Sequence, residues 1–212
     1  MEKVVERNPV IEKKSVNNIM TALYAFVVIS FFITIVDIII RFPLQSEMID
    51  YNDIQAIVIN VLALLIQIVF FAYGFVNAIR GMLSPKRMGA VIVAFFAATC
   101  ITGTGNMVIN SNVQIVLWWI VLIIPNVVGA VATFAYFVSG KKSKIYSIII
   151  YLAAILGIFR IIYSNYNLIV HANQYLSMNS TVRLVLGIAI HCLVIYQTYV
   201  LWIKRQNAID IS

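Results

Sequence analysis

The apolar residues of this 212-residue chain are gathered into long, nearly uninterrupted stretches, among them Met20–Ile40, Ile54–Ala78 and Ile145–Phe159. These are far longer than core strands. They approach the roughly 20 residues that carry a helix across a ~30 Å hydrocarbon layer at about 1.5 Å per residue. In that layer a backbone must satisfy its own hydrogen bonds, which limits such stretches to helices. Only 11% of the residues are charged against 62% hydrophobic, and this balance excludes a water-soluble globule. The expected class is all-α, a polytopic transmembrane helical bundle.

Six stretches fit the spanning template, at about 19–42, 54–80, 88–110, 114–139, 145–170 and 180–203, between tails at 1–18 and 204–212. Pro43 is expected to close the first helix. Gly81 with Ser84-Pro85, Ser111-Asn112 and Ser139-Gly140 mark later turns. The opening MEKVVERNPVIEKKSVNN is polar, and the run after it is too long for a signal-peptide core and lacks an A-x-A site, so it reads as a retained first span.

Orientation follows from the cations, since loops on the cytoplasmic side retain Lys and Arg. Lys3, Arg7, Lys13 and Lys14 precede the first span; Arg80, Lys86 and Arg87 join spans two and three. Lys141, Lys142 and Lys144 join four and five, and Lys204 and Arg205 follow six. The opposite loops hold Glu47, Asp50 and Asp53, an uncharged Ser111-Asn112 turn, and a stretch around His171–Asn179 with no Lys or Arg. Both termini are therefore expected in the cytoplasm, and Trp118, Trp119 and Trp202 fall where interfacial aromatics belong. This asymmetry accounts for nearly all of the net charge of +7, so nucleic acid is discounted as a partner. The lipid bilayer is the expected surrounding. Ile- and Asn-rich usage fits an AT-rich bacterial genome, which places the protein in a plasma membrane of bacterial cytoplasmic type.

The ends of spans two, four and six read FAYGFVNAIRG, TFAYFVSGKKSK and YQTYVLWIKRQ, each an aromatic stretch running into a basic one. An aromatic belt followed by retained cations produces this without any shared ancestry.

Within the spans, polar and small residues recur at three- and four-residue steps, which place them on one face of each helix. Span one carries Ser30, Thr34, Asp37 and Arg41; span two Ala56, Asn60, Ala63, Gln67, Gly74 and Asn77; span three Ala90, Ala94, Ala98, Thr102, Asn106 and Asn110. Asn126, Gly129 and Thr133 follow in span four, Ala153, Gly157, Arg160, Ser164 and Asn167 in span five, and Arg183, Gly187 and His191 in span six. Small residues admit close helix approach and polar ones hydrogen-bond across helices at about 0.6 kcal/mol each, so packing explains most of these positions. A solute pocket would need the same residues around a cavity.

Ionisable groups carry more information, because a charge at mid-bilayer costs about 2.5–3.5 kcal/mol on insertion scales. By helical rise from the basic side, Asp37 and Arg160 fall in the outer half, Arg183 near the outer surface and His191 near mid-membrane. Asp37 has Arg41 four residues away, and Arg160 or Arg183 across the bundle, as partners. Arg160 has no acid in its own helix, which leaves a clasp with Asp37, a carbonyl cluster or an anionic ligand. His191 is either a proton relay or a neutral side chain bonded to a neighbouring helix. A haem pair with His171 fails on depth. Gly103 and Gly105 in span three, and Pro125-Asn126 in span four, are candidate helix breaks of the kind that line transporter sites.

The sequence has no H-E-x-x-H, G-x-S-x-G, Walker or G-x-G-x-x-G motif and no paired intramembrane acids, so neither catalysis nor a cofactor is expected. Cys100 and Cys192 lie in apolar runs far from other ligand types, and no metal site is expected. Asn179-Ser180-Thr181 matches a glycosylation sequon against span six, and Gln45–Asp53 is an acidic loop whose charges are expected to be solvated. Chain size and a six-helix topology with both ends inside are similar to the substrate-capture subunits of energy-coupling-factor vitamin transporters. The A-x-x-x-A face expected on their first helix is not met: Ala22 and Ala25 stand at the wrong spacing, and Ala94 and Ala98 lie on span three. No family is assigned from the residues.

The functional expectation is a non-enzymatic membrane protein that binds or transports a small solute through a polar interior formed by Asp37, Arg160, Arg183, His191, Thr102, Asn106 and Asn126. The alternative is an accessory, immunity-type or regulatory protein acting through helix contacts with a partner membrane protein. The residues do not fix an oligomeric state.

Overall fold

The computed structural model describes residues 9–45, 51–109, 113–141, 143–164 and 178–209, with side chains over 17–36, 55, 58–104, 123–141, 143–163, 181 and 184–205. Among these residues there is no strand. The helices are α1 (Pro9–Gln45), α2 (Tyr51–Ile79), α3 (Pro85–Ile109), α4 (Val113–Thr133, continued by a π turn at Phe134–Val138), α5 (Lys144–Ser164) and α6 (Met178–Ile209). Five carry segments long and apolar enough to cross a membrane, namely Asn17–Val36, Val58–Ile79, Pro85–Thr104, Lys144–Tyr163 and Leu184–Arg205; the shorter Ile123–Val138 lies on α4.

Helix breakers at three places behave differently from expectation. Pro43 falls in the last turn of α1, which continues to Gln45; so near the end, its missing N–H costs a single bond to the Ile39 carbonyl. Pro125 sits inside α4 without ending it, and α3 runs unbroken through Gly103 and Gly105. The turns at the basic end do use glycine as such: Gly81 and Gly140 take φ of 66° and 71°, the left-handed conformation that ends a helix at little cost to a residue without a Cβ.

Each helix packs on its neighbours in the chain and α6 returns to α1, which closes the bundle into a ring. A contact between α3 and α6 crosses it. Accordingly half of the apolar segment is buried in α3 and in α6, against 17% in α2 and 22% in α5. The peripheral helices show hydrocarbon-compatible residues outward, such as Val58, Leu62, Val69 and Val76 on α2 and Ile148, Leu152, Ile155 and Phe159 on α5. Small and hydroxyl residues turn inward: Ser30, Thr34, Ala63, Ala94, Ala98, Thr133 and Ala153 are buried. Their hydroxyls do not bridge helices. Ser30, Thr34 and Thr133 donate to the carbonyls of Phe26, Ser30 and Gly129 in their own helices at 2.7–2.9 Å, so their use is to be small while leaving no polar atom unpaired. Asn60 departs from its stripe and is exposed.

Direct bonds tie the basic end together. Asn17 on α1 donates from Nδ2 to the Ala78 carbonyl at 3.2 Å, and Arg87 at the start of α3 donates from Nη1 to Asn77 Oδ1 at 2.8 Å and to the Met82 carbonyl at 2.7 Å. Arg205 near the end of α6 donates from Nη2 to the Tyr136 carbonyl at 2.7 Å and from Nη1 to that of Lys141 at 3.0 Å, with its guanidinium 4.2 Å from the centre of the Tyr136 ring. A cation at the C-terminal end of α4 matches the sign of the helix dipole there. The π turn and the arginine therefore belong together: the widened turn presents a carbonyl, and a neighbouring helix satisfies it.

Candidate functional site

Polar chemistry inside the bundle gathers at two depths. The pair nearer the basic end is Tyr24 on α1 and Gln197 on α6, both fully buried. Gln197 Nε2 donates to the Tyr24 hydroxyl oxygen, while Gln197 Oε1 is buried without a partner. Tyr24 reaches this position because Gly74 on α2 leaves its ring room; a Cβ there would strike the ring. Neither residue stands in the polar stripes read from the sequence. The signal available was a lone amide inside the aromatic run YQTY, where an unpaired amide in hydrocarbon demands a donor or acceptor from another helix.

This pair predicts a sign. Tyr24→Phe strands the whole amide and Gln197→Leu strands the hydroxyl, so each single variant should lose about 1–3 kcal/mol. The double variant, apolar on both sides and similar in volume, should recover to within about 1 kcal/mol of the parent. Thermal unfolding of the four proteins in mild detergent reads this directly. A double variant no better than the worse single would show that the two side chains do not act on each other.

His191 stands about two turns further from the basic end, six residues before Gln197 on α6. It is buried, its Nδ1 lies 2.7 Å from the Gly187 carbonyl one turn back, and its ring meets Phe95 of α3 edge-on with centroids 5.0 Å apart. A carbonyl can only accept, so Nδ1 carries the proton, and this bond stays within α6. Nε2 faces α5 at Gly157, where the absent Cβ makes room for the ring. Arg160 follows Gly157 by one turn, is half-buried, and lies close enough for its charge to act on His191.

The other sequence candidates are distributed around this point. Asn126 on α4 is buried and Thr102 on α3 half-buried, and both have interaction partners. Asp37, Asn106 and Arg183 lie on α1, α3 and α6, but their side chains, and with them the proposed Asp37 pairings, are outside the described residues; so is His171. The described structure thus brings together His191, Arg160 and Phe95.

What fills the centre is aromatic. Tyr24 and Phe31 of α1 contact Phe71 of α2, which contacts Phe95 of α3, which contacts Phe96 and His191, with centroids 5.0–6.5 Å apart throughout. Such tilted and edge-on pairs contribute about 0.5–1.5 kcal/mol each beyond their area. Compared with known proteins, the chain matches no family model, no curated protein and no solved structure.

Proposed function

We propose that this chain is a non-enzymatic plasma-membrane protein with six spans and both termini cytoplasmic, which acts through lateral helix contacts on a partner membrane protein and passes no solute through its centre. The observation behind this reading is the filled interior: Tyr24, Phe31, Phe71, Phe95, Phe96, Leu193 and Gln197 occupy the middle of the ring, each at most 5% exposed. A translocation path would run where these side chains stand. The orientation is supported by the Arg80–Arg87 and Lys141–Lys144 turns and by Arg205, which share one end of the bundle. Six spans follow if α4 crosses over its full length, including the part before Ile123.

Binding of a small anionic solute in the outer half is the second reading, and it rests on the half-buried guanidinium of Arg160 beside His191. Native mass spectrometry of gently extracted protein separates the two. The lateral-contact reading expects a stoichiometric protein partner and no small-molecule adduct that depends on Arg160. A reproducible adduct that Arg160→Ala abolishes would overturn it in favour of the solute site.

A further inference from the structure

Between α1, α5 and α6 the bundle leaves a groove of about 500 Å³, lined by Leu23, Tyr151, Cys192, Ile195, Tyr196 and Tyr199. Two of its lining residues, Cys192 and Tyr199, are exposed, so it is open along the side of α6. Its depth is fixed by counting along the helices: Tyr199 precedes Lys204 by five residues, Tyr151 follows Lys144 by seven, and Cys192 precedes Lys204 by twelve. At about 1.5 Å per residue the groove runs from roughly 8 to 18 Å below the basic rim, the acyl-chain depth of the leaflet on that side.

Two features choose among occupants. A helix is 10–12 Å across and does not enter a recess of this size, whereas an acyl chain, a single file of methylenes, does. Above the groove the rim is cationic. Lys144 stands seven residues before Tyr151, on the same face of α5, and is exposed; Lys204 at the end of α6 and Lys141 are exposed as well. Arg205 is already engaged with the Tyr136 and Lys141 carbonyls, and the Lys141 ammonium stands 5.8 Å from the centre of the Tyr146 ring, which leaves Lys144 and Lys204 as the cations available to a headgroup.

We propose that the groove holds one acyl chain of an anionic phospholipid from the leaflet on the basic side, with its phosphate at Lys144 and Lys204. The apolar part gains little from leaving other lipid tails, so retention comes from close packing against three tyrosine rings, and headgroup choice from the lysines. This site stands independently of the protein-partner reading.

Native mass spectrometry of the full chain released from nanodiscs of equal phosphatidylglycerol and phosphatidylcholine tests it. The parent should retain one phosphatidylglycerol about tenfold over phosphatidylcholine. Lys144→Gln with Lys204→Gln should bring that ratio to about one while a lipid is still held, and Cys192→Trp, which fills the groove, should remove both. A second measurement needs no variant. Phosphatidylglycerol with a photoreactive diazirine at mid-chain should label the peptide spanning Cys192–Tyr199 several-fold above the exposed faces of α2 and α5. Equal retention of the two lipids by the parent, an undiminished lipid in folded Cys192→Trp, uniform labelling, or a second copy of the chain crosslinked through the groove would each overturn the proposal.

Discussion

Phe71→Ala is expected to cost this bundle about 4–5 kcal/mol, a fall in unfolding temperature on the order of 10 °C. Phe71 is 1% exposed and touches the rings of Tyr24 and Phe31 on one side and Phe95 on the other, so it joins α1 to α3 through α2. In a membrane the separated helices are solvated by acyl chains as apolar as a phenyl ring, so the usual transfer term largely drops out. What remains is packing. Vacating about 100 Å³ at about 24 cal/mol per Å³ costs about 2.4 kcal/mol, and three lost ring contacts add to it. Phe159, 68% exposed on α5, is the control: alanine there removes a side chain that faces lipid and should change stability by less than about 0.5 kcal/mol. Thermal unfolding of both variants in the same detergent settles the comparison. Equal losses would mean that the chain of rings does not hold the ring of helices together.

The helices were legible in the sequence because their cause is local. A run such as Ile145–Phe159 has one stable conformation in hydrocarbon whatever packs beside it, and the structure places α5 across it. Inward-facing small residues were legible for a related reason, since Ala94 and Ala98 share a helical face. Partnerships were not legible. Nothing in the stripes said that Gly157 would meet His191, because that contact depends on α5 and α6 being neighbours in the closed ring. Arg205 reads in the sequence as one more topology cation, yet its guanidinium is used up on the carbonyls of Tyr136 and Lys141. Proline and glycine misled in the opposite sense: Pro125, Gly103 and Gly105 are breakers by local propensity, and tertiary packing overrides that propensity. The Tyr24 and Gln197 pair spans 173 residues of sequence, a separation that no local pattern encodes.

The contact between Gly157 and His191 predicts a reversal of sign that only a tertiary cause can produce. In an ordinary helix Gly→Ala is favourable by about 1 kcal/mol. Here the new methyl would land on the imidazole, which cannot withdraw: its Nδ1 is bound to the Gly187 carbonyl and its ring lies edge-on against Phe95. Either that hydrogen bond breaks or α5 and α6 move apart, and Gly157→Ala should lose about 2–3 kcal/mol. In a His191→Ala background the obstacle is gone, so the same substitution should be neutral or stabilising by up to about 1 kcal/mol. The resulting coupling of about 3 kcal/mol lies at the top of the range for residues in direct contact, and four unfolding curves in detergent measure it. Gly187→Ala supplies the contrast: its methyl would meet the Ile161 Cδ1 atom at 2.8 Å, the far end of a side chain that can turn about χ2, so it should cost less than about 1 kcal/mol. If Gly157→Ala were equally harmful with and without the imidazole, the glycine would be serving the approach of the two backbones, and His191 would lose its place as the residue that sets the spacing of α5 and α6.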